Sequence, residues 1–321
     1  MSGLCSPIGR TGRSLCARKR WQAALSLTET MLSISLSMPL VLGAMQLLCT
    51  SVAEQAMSHQ SLRIDQDAQF VLNLIANAVQ LAGHHDPYEL PSFSALPRVQ
   101  GLDDATLGAR TSIESGQSGA GLFGSDVLIV RFSGAGPGIH ALMNCAGIPV
   151  SASVNNEATS VTQAQGDSIF YVARGTGGEN ELRCKYRTAS GWDSEALVQG
   201  VESFQVLYGL DHDGDGLPEQ FLRASAISDA MPRGVSAVSL WNKVVAVKIS
   251  LLMRSAQRVQ QPLTPVTWNL FGDVYSARYA TTDRGTRLSS DDFTGESRYR
   301  LRRSYEQLIF IRNPLPLATS E

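Results

Sequence analysis

Glu29-Thr30-Met31-Leu32-Ser33-Ile34-Ser35-Leu36-Ser37-Met38-Pro39-Leu40-Val41-Leu42-Gly43-Ala44-Met45-Gln46-Leu47-Leu48 carries one charge, at its first residue, and none after it. The uncharged run continues to Ala53. About 20 apolar-dominated residues are the length a helix needs to cross a hydrocarbon layer of about 30 Å, although Ser33, Ser35, Ser37 and Pro39 dilute this one. The 24 residues before Leu25 include Arg10, Arg13, Arg18, Lys19 and Arg20 and no acid. A basic flank next to an apolar segment resists translocation and stays in the cytoplasm. A secretory signal would have a shorter apolar core closed by a small-x-small site, and Ala44 and Cys49 do not make one. Glu29 is the residue to explain, because a carboxylate at the membrane edge is costly without a partner.

The helical pattern continues past the apolar run. Ile64, Ala68, Val71, Ile75, Ala78 and Ala82 recur at spacings of four and three, with Leu74, Val79 and Leu81 on the same side. Asp65, Gln66, Asp67, Gln69, Asn73 and Asn77 fall mostly elsewhere, so the segment reads as an amphipathic helix whose apolar face docks on a sheet. Gly83 and Pro87 are stop signals. One helix from Leu25 to Ala82 would be about 87 Å long at 1.5 Å per residue, with a kink expected at Pro39.

Beyond Pro87 the periodicity shortens. Strands are expected at residues 127–132, 168–173, 204–208, 244–252 and 305–311, separated by Gly- and Ser-rich pieces at 115–121, 133–138 and 175–178. One long helix followed by many strands is an α+β pattern. Without the five basic residues of the first 24, the chain holds 22 basic against 29 acidic residues, a net charge of about −7. A mildly acidic body argues against nucleic acid as a partner.

Ala24-Leu25-Ser26-Leu27-Thr28-Glu29, basic before and apolar after, resembles the prepilin cleavage motif usually written G-F-T-L-I-E. Ala24 stands in place of the glycine and Leu25 in place of the phenylalanine. The resemblance implies cutting between Ala24 and Leu25 by a prepilin peptidase and methylation of the new terminus. Glu29, fifth in the mature chain, would then neutralise the terminal amine of a neighbouring subunit. Two opposite charges are tolerable together in a low dielectric and expensive apart.

Further pieces resemble the PilW family of minor pilins. They are Asn144-Cys145-Ala146-Gly147 with the later Cys184, Val201 to Gly209 running into Asp211 to Gly216, Val244 to Arg254, Tyr299 to Arg303, and Arg312-Asn313-Pro314-Leu315. The implied fold is pilin-like: a long N-terminal helix, transmembrane in its first half and amphipathic in its second, packed on an antiparallel β-sheet head. The implied divisions are a leader at 1–24, a membrane and filament-core segment at 25–53, the amphipathic helix at 54–83 and a periplasmic head at 84–321. The implied partners are other minor and major pilins, the prepilin peptidase and the inner-membrane assembly platform.

Of five cysteines, Cys5 and Cys16 would leave with the leader and Cys49 lies in the apolar helix. Cys145 and Cys184 would both face an oxidising compartment, where a disulfide is expected, the alternative being two buried thiols. Asp211-His212-Asp213-Gly214-Asp215-Gly216 has the D-x-D-x-D-G spacing of a calcium loop, with Glu219 at the ninth position and Leu222 where the twelfth-position acid would stand. Asp211, Asp213, Asp215 and Glu219 are therefore the candidate ligands, and the alternative is a solvated turn. No cofactor is otherwise required, and neither His84-His85 nor His140 offers the spacing of a zinc site. No G-x-S-x-G, H-E-x-x-H or P-loop motif is present, so an enzyme is not expected. A minor pilin with a priming or tip role is the first reading; a type II secretion pseudopilin and a pilus-tip adhesin are the alternatives.

Overall fold

The computed structural model describes residues 26–85, 96–113, 116–135, 141–150, 165–230, 237–259 and 264–313 of the chain. Ala24 and Leu25, and with them the expected cleavage point, lie outside the described residues, as do Cys5, Cys16 and His140. Two compact units are present, Met1–Gln55 and Ala56–Glu321.

Helix α1 spans Leu27–Leu81 without interruption, Pro39 included. Its start is set locally. Ser26 Oγ accepts the Glu29 N–H at 3.3 Å, which satisfies one of the free amides of the first turn. Glu29 also places a negative charge at the positive end of the helix. In the first unit every large apolar side chain from Leu27 to Val52 is more than half exposed. By length and composition this stretch is able to cross a membrane.

In the second unit the helix stripe is buried. Ile64, Ala68, Val71, Ile75, Val79 and Ala82 are at most 3% exposed, and Leu72 and Ala76 widen the buried face. The helix ends where Gly83 takes a left-handed φ of +72° and donates its N–H to Arg131 O at 2.9 Å.

Among the described residues the head holds two larger antiparallel sheets and three two-stranded ones. The first is a meander of β1 (Val99–Leu102), β2 (Val127–Ser133), β3 (Gln165–Arg174), β4 (Asn180–Thr188) and β5 (Gly191–Gln199), in which spatial order follows chain order. Gly200, at φ +84° and pressed against Arg254 O, turns the chain from β5 into β6 (Val201–Leu210) of the second sheet. There the order is β7 (Gln220–Leu222), β6, β8 (Val244–Arg258) and β9 (Arg300–Phe310). β9 begins five residues before the expected start, because Arg300 and Arg302 occupy strand positions that an apolar pattern does not reveal.

Period-two alternation assigns the faces. Leu128, Val130, Phe170 and Val172 of the first sheet and Val247, Ile249, Leu251 and Met253 of the second form one core with the helix stripe. The alternate residues face away. Val127, Ile129, Ile169 and Tyr171 pack under Ala105 and Leu107. Leu252 packs under Leu270, Leu288 and Phe293. Each sheet therefore has the helix core on one side and a covering segment on the other, which is why the strands read as nearly continuous apolar runs.

Candidate functional site

The helix is tied to the head by polar contacts as well as by its stripe. Asp65 accepts both oxygens' worth of hydrogen bonds from Arg303 Nη1, at 2.9 and 2.8 Å, and one from Tyr305 Oη at 2.5 Å. The Tyr305 hydroxyl, with Arg303 adding to it, holds the Asp65 carboxyl below its ordinary value against the opposing effect of burial. At the other end of the docked segment Asn313 Nδ2 donates to Gln80 O and Ala82 O, both at 3.1 Å. Gln80 is in the last turn of α1 and Ala82 follows its end, so Asn313 caps the helix from 231 to 233 residues away. Arg98 in turn holds Asn313 O at 2.5 Å and Val244 O at 2.8 Å.

A buried ion network sits under the second sheet's outer face. Glu202 Oε2 takes Arg302 Nε at 2.7 Å and Oε1 takes Arg302 Nη2 at 3.1 Å, while Arg254 Nε approaches Oε1 at 3.1 Å. Arg302 also lies 3.6 Å over the Phe293 ring. Burial pushes the Glu202 carboxyl up, and the Arg302 guanidinium opposes it. Its hydrogen bonds tie β6 and β9 to the segment carrying Ser297 and the Arg254 ion pair adds β8, so it is a structural clasp. Glu202, Arg254, Arg302 and Asn313 all lie in the stretches that resemble the PilW family, and opposite charges in separate strands are the one sequence signal of the clasp.

Cys145 and Cys184 form a disulfide with Cα atoms 5.8 Å apart, closing a separation of 39 residues. It pins the hairpin of Leu142–Met143 and Pro149–Val150 to β4. Beside it Lys185 is fully buried, its Nζ held by Gly108 O at 2.6 Å and Thr111 O at 2.5 Å. Burial lowers that amine to about 8.

The candidate calcium residues converge. Asp211, Asp213, Asp215 and Glu219 each place a carboxylate oxygen within 4.8 Å of the others. Calcium takes oxygens at about 2.3–2.6 Å, so ligands on opposite sides of the ion stand about 5 Å apart, and the four fit one coordination sphere. The loop is shaped from within. Asp211 accepts the Gly214 and Gly216 N–H groups at 2.5 and 2.8 Å, Asp213 accepts Asp215 N–H at 3.1 Å, and Asp215 accepts Leu217 N–H at 2.7 Å. Gly214 and Gly216 both adopt positive φ, which these turns require. Partial burial resists ionisation of Asp211, but the amides and Lys243 outweigh it and its carboxyl lies below the ordinary value.

A long N-terminal helix, apolar and exposed in its first stretch and docked on antiparallel sheets in its second, is the α+β arrangement that the prepilin resemblance implies. The family described as Type IV Pilus-assembly protein W, PilW, matches residues 169–313. The matched span runs from within β3 to Asn313 and contains the Glu202 clasp, the acidic loop and the helix cap. Among solved structures, a type IV-like pilin from Thermus thermophilus aligns over 79% of this chain and 100% of its own, at 13% identity and a TM-score of 0.35. No curated protein matches the chain.

Proposed function

We propose that this protein is a minor pilin that takes part in type IV pilus assembly as a non-catalytic subunit. The observation that carries the reading is the first half of α1, where an uncharged, mostly apolar and exposed surface follows a single carboxylate, Glu29. The PilW match to the head supports it. Residues 1–24 would hold the N-terminus in the cytoplasm while the head crosses to the periplasm. Prepilin peptidase would cut after Ala24, and the amine of Leu25 on one subunit would meet Glu29 on another. Lateral packing with minor and major pilins then buries residues 25–53, in a priming or tip complex built at the inner-membrane platform. Calcium, in this reading, cross-links Asp211, Asp213, Asp215 and Glu219 and stiffens the turn between β6 and β7 without doing chemistry. The type II secretion alternative is separated by deletion, which on the present reading removes pili and leaves secretion intact.

Glu29→Ala tests the mechanism. The head, which lies in a different unit, keeps its melting temperature, and the amount of the subunit in sheared filaments falls at least tenfold. Normal incorporation of the variant would overturn the charge-neutralisation step.

A further inference from the structure

The two sheets have four edges, and three of them are blunted in ways that discourage further pairing. β1 has four residues and β7 has three. β5 carries Asp193 and Glu195 and is bulged against β4 between Leu182 and Arg183. The fourth edge is β9, with 11 residues. From Ser304 to Phe310 it contains no proline and no lysine, and Glu306 is its one charge. Its pairing with β8 runs unbroken from Met253↔Arg303 to Ala246↔Phe310.

The register says which backbone groups are free. Ile311 N–H donates to Val245 O at 2.9 Å, so odd-numbered residues of β9 turn their amides and carbonyls toward β8. Ser304, Glu306, Leu308 and Phe310 therefore turn theirs outward, and among the described residues no strand lies beyond them. Four donor–acceptor pairs repeating every second residue, about 6.8 Å apart, match an extended backbone. On the face away from the helix, Leu308 and Phe310 are each 44% exposed at the same repeat.

We infer that the outer edge of β9 from Ser304 to Phe310 is a docking strand, which accepts an extended segment of a different protein chain carrying apolar residues at the alternate positions facing Leu308 and Phe310. Main-chain hydrogen bonds supply the binding and the two apolar side chains supply the selectivity. A second copy of this chain fits less well. In antiparallel self-pairings centred on residue 306, 307 or 308, Glu306 meets itself, Leu308 or Phe310, so that a charge faces its like or an apolar group.

The inference is independent of processing at Leu25 and its test does not depend on it. A photoreactive benzoylphenylalanine replaces Phe310 in the full chain in living cells, with and without Leu308→Pro. Proline at 308 removes an outward N–H and no ladder bond, so the head melts within about 3 °C of the parent. The result expected is a cross-link to an extended segment of another protein, mapped by mass spectrometry, that falls at least tenfold with Leu308→Pro. A cross-link to a second copy, to a partner helix or to nothing would overturn the inference, as would one that survives the proline. The cross-linkable chain without the proline gives a second readout. Amide exchange at Ser304, Glu306, Leu308 and Phe310 slows at least tenfold in the purified cross-linked complex, and unchanged exchange there would overturn it too.

Discussion

The two stretches of helix α1 are both rich in apolar residues and meet opposite environments. From Leu27 to Val52 the large apolar side chains are 55% exposed or more, whereas Ile64, Val71, Ile75 and Val79 are buried to within 3%. The difference teaches that one continuous secondary structure serves two solvents. The second stretch is stabilised by the sheets of its own chain. The first stays exposed among the described residues, and by length and composition it is able to cross a membrane. The composition follows: an amphipathic stripe with Gln66, Gln69, Asn73 and Asn77 on its far side, against a run with no charge after Glu29 until Glu54.

Breaking the head without touching the helix gives the largest expected effect. Replacing Cys145 and Cys184 by alanine releases a loop of about 40 residues and should cost about 4 kcal/mol, read as a lower urea midpoint. Amide protection from Ile64 to Leu81 should fall with it, while the stretch from Met31 to Leu48 is unaffected. Next comes the helix itself. Ile75→Ala should cost the head about 3 kcal/mol through lost burial and a residual cavity. Leu36→Ala, in the exposed stretch, should leave head stability within about 0.5 kcal/mol. Equal losses from the two substitutions would erase the distinction between the stretches.

A smaller effect sharpens the contrast by pH. Burial raises the Asp283 carboxyl from 3.8 to about 6, against the hydrogen bond it accepts from Tyr275 at 2.7 Å. Between those values the folded chain holds a proton that the unfolded chain has released. This group therefore favours folding below about pH 4, and that contribution is lost as pH rises through 6. Asp283→Asn should remove that slope in urea titrations, and Glu29→Ala should leave it in place.

Much of this organisation was legible in the residues. Helix α1 came within two residues of its expected start and one of its expected end, because a stripe at spacings of four and three and a closing Gly83 are strong local signals. The strands at 127–133 and 244–258 were legible as apolar runs with two-sided burial. β4 and β5 were not. Glu181, Arg183, Lys185 and Arg187 interrupt the apolar pattern of β4, and Lys185 is buried only because main-chain carbonyls from 108 to 111 surround its amine. The disulfide followed from which cysteines remain after the leader and the apolar helix are set aside. The acidic loop followed from spacing alone, since its four acids lie within nine residues. The Glu202 clasp and the Asn313 cap join residues 100 or more positions apart, and no local pattern announces such partners.

The central claim is that an exposed apolar helix starts with a carboxylate answered by an amine newly made on a neighbouring subunit. Intact-mass and N-terminal peptide analysis of the protein recovered from cells tests it most directly. The account predicts a chain beginning at Leu25, shorter than the encoded one by residues 1–24. A recovered chain that still carries Arg18, Lys19 and Arg20 would contradict it.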